Sequence, residues 1–513
     1  MMVSRRNFLK SVGMGTAVAG VSGFSHGNSP AELPSGPPNK KCKPLGSNKL
    51  FDHLKPCCPG ESLAADEMRI TFLGTSPIPR LTQQGVSVYV EVGPTDKFGT
   101  PRDYAMFDCG MGVHSNYLAM LIPYRRMDKI FIAHLHADHM GELSSIYCFG
   151  EAADRKSPLY VWGPGPSGVQ DPVSGEFHND GIKNTLEHLR EVWRWHTESF
   201  SFSSNSYQSF QPPSQAGWHT PVPLEPVGSI YSQYQDPYSG TTYDAFALVP
   251  IELPWQNYGA VEGDNIAYWN EDTGLKITHF PVIHTRKGAI GYKLEWTPDP
   301  AHPEKTLSMI YSGDTKPNNT LLAQAQGVDV LIHEMVMPAD QWAAHSLGVP
   351  VCELTPSEVE YSQTIQNSSH TSQAAFGYLM SRLQPLPRLT VATHFQAQDE
   401  MIASAIRSLN AFNIPRNKYT FAADFMMLNL TTDKRLPVRQ RRVDVSRFSF
   451  GAMAQPGIPS SDLNAPKYQK NGQSDPDAQI DNTDWIPYTG YYGPNDPITY
   501  DEDGYNYPHH DCS

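Results

Sequence analysis

Short apolar runs separated by polar punctuation organise most of the chain. Ile70 to Gly74, Val86 to Val92, Tyr104 to Phe107, Ile130 to Ala133 and Leu159 to Trp162 read as strands in the first part. Ile277 to Ile283, Ala289 to Leu294, Ser308 to Tyr311 and Leu389 to Thr393 read the same way further on. Helical runs alternate with them, among them Gln373 to Leu379 behind a Ser/Thr cluster that suits an N-cap. With hairpins early and in the middle, this pattern predicts an α/β (α+β) fold. Two mixed sheets should pack face to face with helices outside, making a four-layer αββα sandwich. No internal repeat of solenoid length is present.

The polar residues at strand ends carry the chemistry. His134-Leu135-His136-Ala137-Asp138-His139 follows the run Lys129 to Ala133 and places four metal-ligand side chains in one short loop. In extended backbone His134 and His136 project to one side by the period of two, so they can grip one ion. Asp138 and His139 point elsewhere once the chain turns, which allows a second ion about 3.5–4 Å from the first. Imidazole with carboxylate suits zinc, and also manganese or iron, and an open position keeps a water whose pKa falls to about 7.

Further ligands are needed, and strand ends downstream supply them. Asp314 follows Tyr311-Ser312-Gly313, and its two carboxylate oxygens can bridge two ions where an imidazole has one free lone pair. His394 ends the run Leu389 to Thr393. Spacing alone admits either His279 or His284 as the remaining ligand. In Ser368-Ser369-His370-Thr371-Ser372 the histidine opens a helical run, where a helix start aims donors at an anionic group.

Taken in order, Phe72-Leu73-Gly74-Thr75, Phe107-Asp108-Cys109-Gly110, the 134–139 cluster, Trp162-Gly163-Pro164-Gly165, His284 with Gly291-Tyr292, Tyr311 to Thr315, Leu331-Ile332-His333-Glu334, Ser369-His370-Thr371 and Thr393-His394-Phe395 form a series. Over about residues 68 to 425 it resembles the metallo-β-lactamase-fold hydrolases of the tRNase Z, phosphodiesterase and arylsulfatase branch. The resemblance implies that His134, His136 and His284 hold one ion and that Asp138, His139 and His394 hold the other, with Asp314 between them. It selects His284 over His279, because the family ligand lies just before the Gly-Tyr strand. It also implies that His370 contacts the ester and protonates the leaving group, with Glu334 hydrogen-bonded to it. Where the family has alanine and threonine after that glutamate, this chain has Met335 and Val336.

Composition and termini set the context. Residues 1–30, with Ser4-Arg5-Arg6-Asn7-Phe8-Leu9-Lys10 before a short apolar stretch, resemble a twin-arginine signal, so the expected partner is that export machinery and the expected location is periplasmic or secreted. No other segment is long and apolar enough to span a membrane. Residues 31–65 read as an extended lead-in, 66–435 as the metallo-β-lactamase-fold domain, and 436–513 as an extension pinned by Trp485 and Tyr488. The domain carries an insert at about 166–274. That insert has no Lys or Arg from Trp195 to Gly274 and many aromatics, which suggests a small organic substrate. The net charge of -14 argues against a nucleic-acid partner. Seven cysteines include Cys42, Cys57 and Cys58, which are placed to form a disulfide after export, while Cys512 has no assignable partner and Cys109 and Cys148 read as buried. A homo-oligomer is left open, and His509 and His510 read as a free terminus in preference to adventitious metal capture.

The expected function is an exported hydrolase with two divalent ions, zinc first, that cleaves a phosphate or sulfate ester of a small molecule, with Asp138, His370 and Glu334 as catalytic residues. A lactone, lactam or carboxylic-ester hydrolase is the alternative. A di-iron oxidoreductase is disfavoured, since His136 stands where those relatives carry glutamate. A binding protein with a relic site is disfavoured by the complete ligand set.

Overall fold

The computed structural model describes residues 54–150, 155, 157–197, 233–235, 242–244, 248–256, 265–397, 399–443, 469–470 and 473–474. The signal segment, Cys42, Cys512, most of the stretch 195–274 within the insert, the tail residues Trp485 and Tyr488, and His509 and His510 lie outside the described residues.

Alternation along the strands sends side chains to two different cores. Val88, Val90 and Val92 face an inner cluster, whereas Tyr89 between them faces an outer one. The first sheet has nine strands in the order Lys55–Cys57, Arg439–Val443, Met426–Thr431, Glu67–Gly74, Ser87–Val92, Asp103–Phe107, Lys129–Phe131, Leu159–Pro164 and Leu248–Leu253. The second has seven, ordered Ile266–Asn270, Leu275–Pro281, Ile290–Trp296, Leu307–Tyr311, Val330–Glu334, Leu389–Thr393 and Tyr419–Phe421. Their facing sides share the inner cluster, where Phe107, Phe131 and Trp162 meet Tyr292, Trp296, Met309, Ile332 and Val391. Phe131 and Trp162 stack at 4.4 Å and 11°, an arrangement worth about 0.5–1.5 kcal/mol beyond the area buried.

Helices cover the outer faces. Ile146 of Leu143–Gly150 and Tyr117 of Val113–Ala119 pack on Met106 and Ile130 of the first sheet. Phe376 of Gln373–Ser381 and Leu409 of Asp399–Ala411 pack with Ala392 of the second. The four layers expected from the sequence are present.

One strand is shorter than its apolar run. The run to Ala133 stops at Phe131 because the Ala133 N–H goes to the Asp108 carboxylate at 2.7 Å and the Ala133 carbonyl accepts from Ile290 N–H of the other sheet at 3.0 Å. The chain therefore bridges the two sheets just before the histidine cluster. Lys129–Phe131, Leu307–Tyr311, Val330–Glu334 and Leu389–Thr393 all deliver their C-terminal ends to this rim, the end at which α/β architectures build their sites.

Candidate metal centre

Close backbone packing shapes the loop that presents the first four candidates. His136 is the extended residue before the short helix Ala137–Met140, which carries Asp138 and His139. Carbonyl oxygens of that turn are spoken for: Val86 N–H donates to Asp138 O at 2.8 Å and Cys109 N–H to His139 O at 2.7 Å. A Cβ on Gly110 would stand 2.0 Å from Asp138 O, so only glycine lets the Phe107-Asp108-Cys109-Gly110 turn approach this closely. Gly313 has φ +57°, and a Cβ there would meet the Ala133 side chain at 2.6 Å. It turns the chain so that Asp314 enters between the loops.

Three histidines converge on one point. His136 Nδ1 lies 2.9 Å from His134 Nε2 and 3.2 Å from His284 Nε2. Two nitrogens held about 2.1 Å from one tetrahedral zinc would be roughly 3.4 Å apart, so these separations suit a shared ion. The Ser369 carbonyl accepts from His284 Nδ1 at 3.0 Å, which leaves Nε2 unprotonated and aimed inward. Burial lowers the pKa of His134, His136 and His284, and His134 is driven well down by burial together with the neighbouring His139. All three are thereby biased towards the neutral form that ligation needs.

A second group stands beside the first. Asp138 Oδ2 lies 3.4 Å from His139 Nε2 and 3.3 Å from His394 Nε2, while Asp314 approaches the same nitrogens with Oδ1 at 3.2 Å and Oδ2 at 3.1 Å. Asp314 Oδ2 is also 3.8 Å from both His134 and His284, so this carboxylate lies between the groups. Burial opposes ionisation of Asp314, yet His139 and His394 outweigh it and hold the carboxyl well below the usual range. Burial likewise opposes protonation of His139, but Asp314, Asp138 and Asp108 raise its pKa well above the ordinary value.

The donor set fits divalent ions. Each group gathers ligand atoms within 4.8 Å, and buried His139 Nε2 and Asp314 Oδ1, though 3.2 Å apart, make no hydrogen bond among the described residues. Such orphaned polar atoms are costly unless something charged pairs with them. Imidazoles with two carboxylates match zinc, manganese or iron(II). The residues that could hold one ion are His134, His136 and His284. Those that could hold the other are Asp138, His139 and His394, with Asp314 available to both.

His370 hangs over this cluster. Its ring is 4.8 Å from His284 and 5.5 Å from His394, and its Nδ1 is 2.8 Å from Glu334 Oε2. The other Glu334 oxygen takes the Thr315 N–H. Burial opposes charging of His370, but Glu334 dominates and raises its pKa. His370 does not open a helix, as the sequence reading had it. It C-caps Pro356–Ser369, and Ser372 is the N-cap of Gln373–Ser381. The earlier helix displays its own signal, a Thr355/Glu358 capping box with proline at the first turn, which the apolar pattern alone overlooks. Met335 and Val336 are buried, and Val336 N–H donates to Thr371 O at 3.0 Å, so they serve packing and loop closure.

His279 lies apart from the site. It is buried on Leu275–Pro281 with Nδ1 on the Asn265 carbonyl at 2.9 Å. Residues unassigned from sequence also shape the centre. Asp108 holds His139 Nδ1 at 2.6 Å and accepts from the Tyr311 hydroxyl at 2.5 Å. Both belong to motifs visible in the sequence, but their pairing spans distant segments. Trp342 lies 5.9 Å from His370. Cys58 and Cys352 each take part in a disulfide, while Cys57, Cys109 and Cys148 form none. Cys352 carried no spacing signal, and Cys57 does not pair as its neighbourhood suggested.

No protein-family model matches the chain. It is 28% identical over 326 residues to a protein named Ribonuclease BN from Salmonella gallinarum, covering 61% of this chain and 88% of that one. A Ribonuclease BN from Citrobacter koseri is 27% identical over 155 residues, covering 26% of this chain and 50% of that one. Among solved structures, the short form of human tRNase Z is 18% identical, with a TM-score of 0.39 over 70% of this chain and 98% of that one. Zinc-bound PqqB from Methylobacterium extorquens is 11% identical, with a TM-score of 0.38 over 71% of this chain and 100% of that one.

The similarity to proteins named as ribonucleases overturns the exclusion of a nucleic-acid partner. Net charge is an average over the whole chain, and the field at a site is local. Lys287 and Lys316 lie close in sequence to His284 and Asp314, and Arg286, also close, is paired with Asp180 at 2.5 Å.

Proposed function

We propose that the chain is a two-cation hydrolase of phosphate or sulfate esters, phosphodiesters first among them. In this reading His134, His136 and His284 hold one ion, Asp138, His139 and His394 hold the second, and Asp314 serves both. When bound, the ions supply positive charge for the non-bridging oxygens of the ester and a water acidic enough to attack at neutral pH. Asp108 and the Ser369 carbonyl keep His139 and His284 in the tautomer and orientation that ligation needs.

The observation that carries the ester reading is the His370–Glu334 pair at 2.8 Å above the ligand cluster. With Nδ1 engaged by Glu334, Nε2 is the nitrogen left to act. Glu334 raises the pKa of His370, which keeps a proton available for a departing alkoxide. A phosphate or sulfate ester with a poor leaving group needs that proton. A lactam or lactone, whose carbonyl the ions could polarise directly, needs it less.

The aromatic stretch from Trp195 to Gly274, which holds no Lys or Arg, supports a small organic ester as substrate. The similarity to Ribonuclease BN favours a second reading, in which the ester is an RNA phosphodiester. Export by the twin-arginine route, to the periplasm or beyond, is part of the proposal. Support comes from Ser4-Arg5-Arg6 and from the disulfides in which Cys58 and Cys352 each take part, since such bonds persist in oxidising compartments. Among the described residues no helix is long and apolar enough to cross a membrane.

The deciding experiment assays zinc-loaded protein against aryl and alkyl phosphodiesters, an aryl sulfate, a 3′-extended tRNA, a lactone and a β-lactam. The expected result is turnover of phosphodiesters, with His370→Ala losing about 10²–10⁴-fold on alkyl esters and far less on aryl esters with good leaving groups. Hydrolysis of only the lactone or β-lactam, or an equal loss on both ester types, would refute the reading.

A further inference from the structure

His394 adopts φ +64°, left-handed backbone that a β-carbon disfavours. Such a conformation persists only where its surroundings over-determine it. On its N-terminal side, Met335 N–H donates to Thr393 O at 2.9 Å. Beyond it, the restraint comes from the other sheet. Phe395 N–H donates to Thr75 O at 3.2 Å, and the side chain of Gln83 clasps Phe395 and Ala397 from the two ends of its amide.

That clasp is fully specified. Gln83 Oε1 accepts from Ala397 N–H at 2.8 Å, and Nε2 donates to Phe395 O at 3.2 Å and to Thr75 Oγ1 at 2.9 Å. Because a backbone N–H can only donate, the amide has one workable orientation. Arg80 adds a second hold, donating to Ala397 O at 2.9 Å and to Gln83 Oε1. Thr75 Oγ1 donates its hydrogen bond to Asp424 Oδ1 at 2.7 Å, and Asp424 Oδ2 accepts from Gln84 N–H at 2.7 Å. Gln83, Thr75 and Asp424 are all buried, so each lost bond leaves a polar group stranded from water.

We infer that Gln83 is a positioning residue for His394 and, through it, for the second cation. It touches no candidate ligand and acts by fixing the turn that sets the His394 ring. The inference rests on the two-cation reading above. His134, His136 and His284 belong to other loops, and none of the bonds described here reaches them, so the effect is specific to one ion.

The test is a Zn²⁺ titration of the mature wild type and of Gln83→Ala against a competing chelator, with thermal unfolding of the metal-free proteins alongside. The expected result is that Gln83→Ala keeps one zinc at wild-type affinity and binds the other roughly 10–100-fold more weakly. Gln83→Glu retains the acceptor for Ala397 and should lose less. Wild-type affinity for both ions in Gln83→Ala, or equal weakening of both, would overturn the inference. If Gln83→Ala does not fold, Gln83→Glu decides on the same criterion. Failure of the wild type to bind zinc at all would instead strike at the two-cation reading itself.

Discussion

Asp108 Oδ2 and His139 Nδ1 lie 2.6 Å apart, with neither side chain exposed to water. Asp108 sits at φ +57°, and its other oxygen takes the Ala133 N–H, so one carboxylate ties the turn after its own strand to the histidine loop. Burial pushes its carboxyl up, against the pull of the His139 charge. A proton on His139 Nδ1 leaves Nε2 as the ligand atom.

Replacing Asp108 with Asn should therefore weaken the second cation without removing the first. The Asn side chain would keep an acceptor for Ala133 but turn its NH₂ towards Nδ1, which favours the wrong tautomer. Loss of roughly 10–100-fold in affinity for one ion is expected, measured by chelator competition. Unchanged affinity for both ions would show that Asp108 serves the fold alone.

Cation uptake should be coupled to protons. In the metal-free protein burial opposes the charge on His394, but Asp314 and Asp138 outweigh it and raise its pKa from 6.5 to about 10. A folded-state pKa above the unfolded value contributes stability that is fully present below about pH 6.5 and is lost as pH rises towards 10. An ion must displace that proton, so binding should tighten with pH across the same window. Calorimetry in buffers of different ionisation enthalpy should report proton release. Uptake without release would contradict the assignment of His394.

Asp424 predicts a second pH effect, away from the ligands. Burial outweighs the hydrogen bonds from Thr75 and Gln84 and raises its pKa from 3.8 to about 7. The folded protein then holds a proton that the unfolded chain has released, so this group's contribution to stability falls as pH rises from about 4 to 7. Denaturant unfolding of metal-free protein across that range should show the decline, flattened in Asp424→Asn. An identical slope in the variant would assign the decline to other groups.

The sequence made the layers and the ligands legible for different reasons. Period-two runs such as Val88 to Val92 turn their valines to the inner core and Tyr89 to the outer one, and ligand-type side chains past strand ends have few other uses. Asp108 was hidden because its role depends on a positive φ and on Tyr311, far along the chain. Gln83 was hidden because an isolated glutamine carries no pattern. His370 was misplaced because the helix ending at Ser369 is mostly polar and shows a capping box rather than an apolar stripe. Acidic composition misled on nucleic acid because a charge summed over the whole chain does not report the field at a site.

Metal content tests the central claim most directly. Elemental analysis of purified, folded protein should find two divalent ions per chain, and Asp314→Ala, which removes the carboxylate shared by both groups, should hold fewer and lose hydrolytic activity while remaining folded. A wild type that takes up no divalent ion, or an Asp314→Ala variant with both ions and full turnover, would contradict the account.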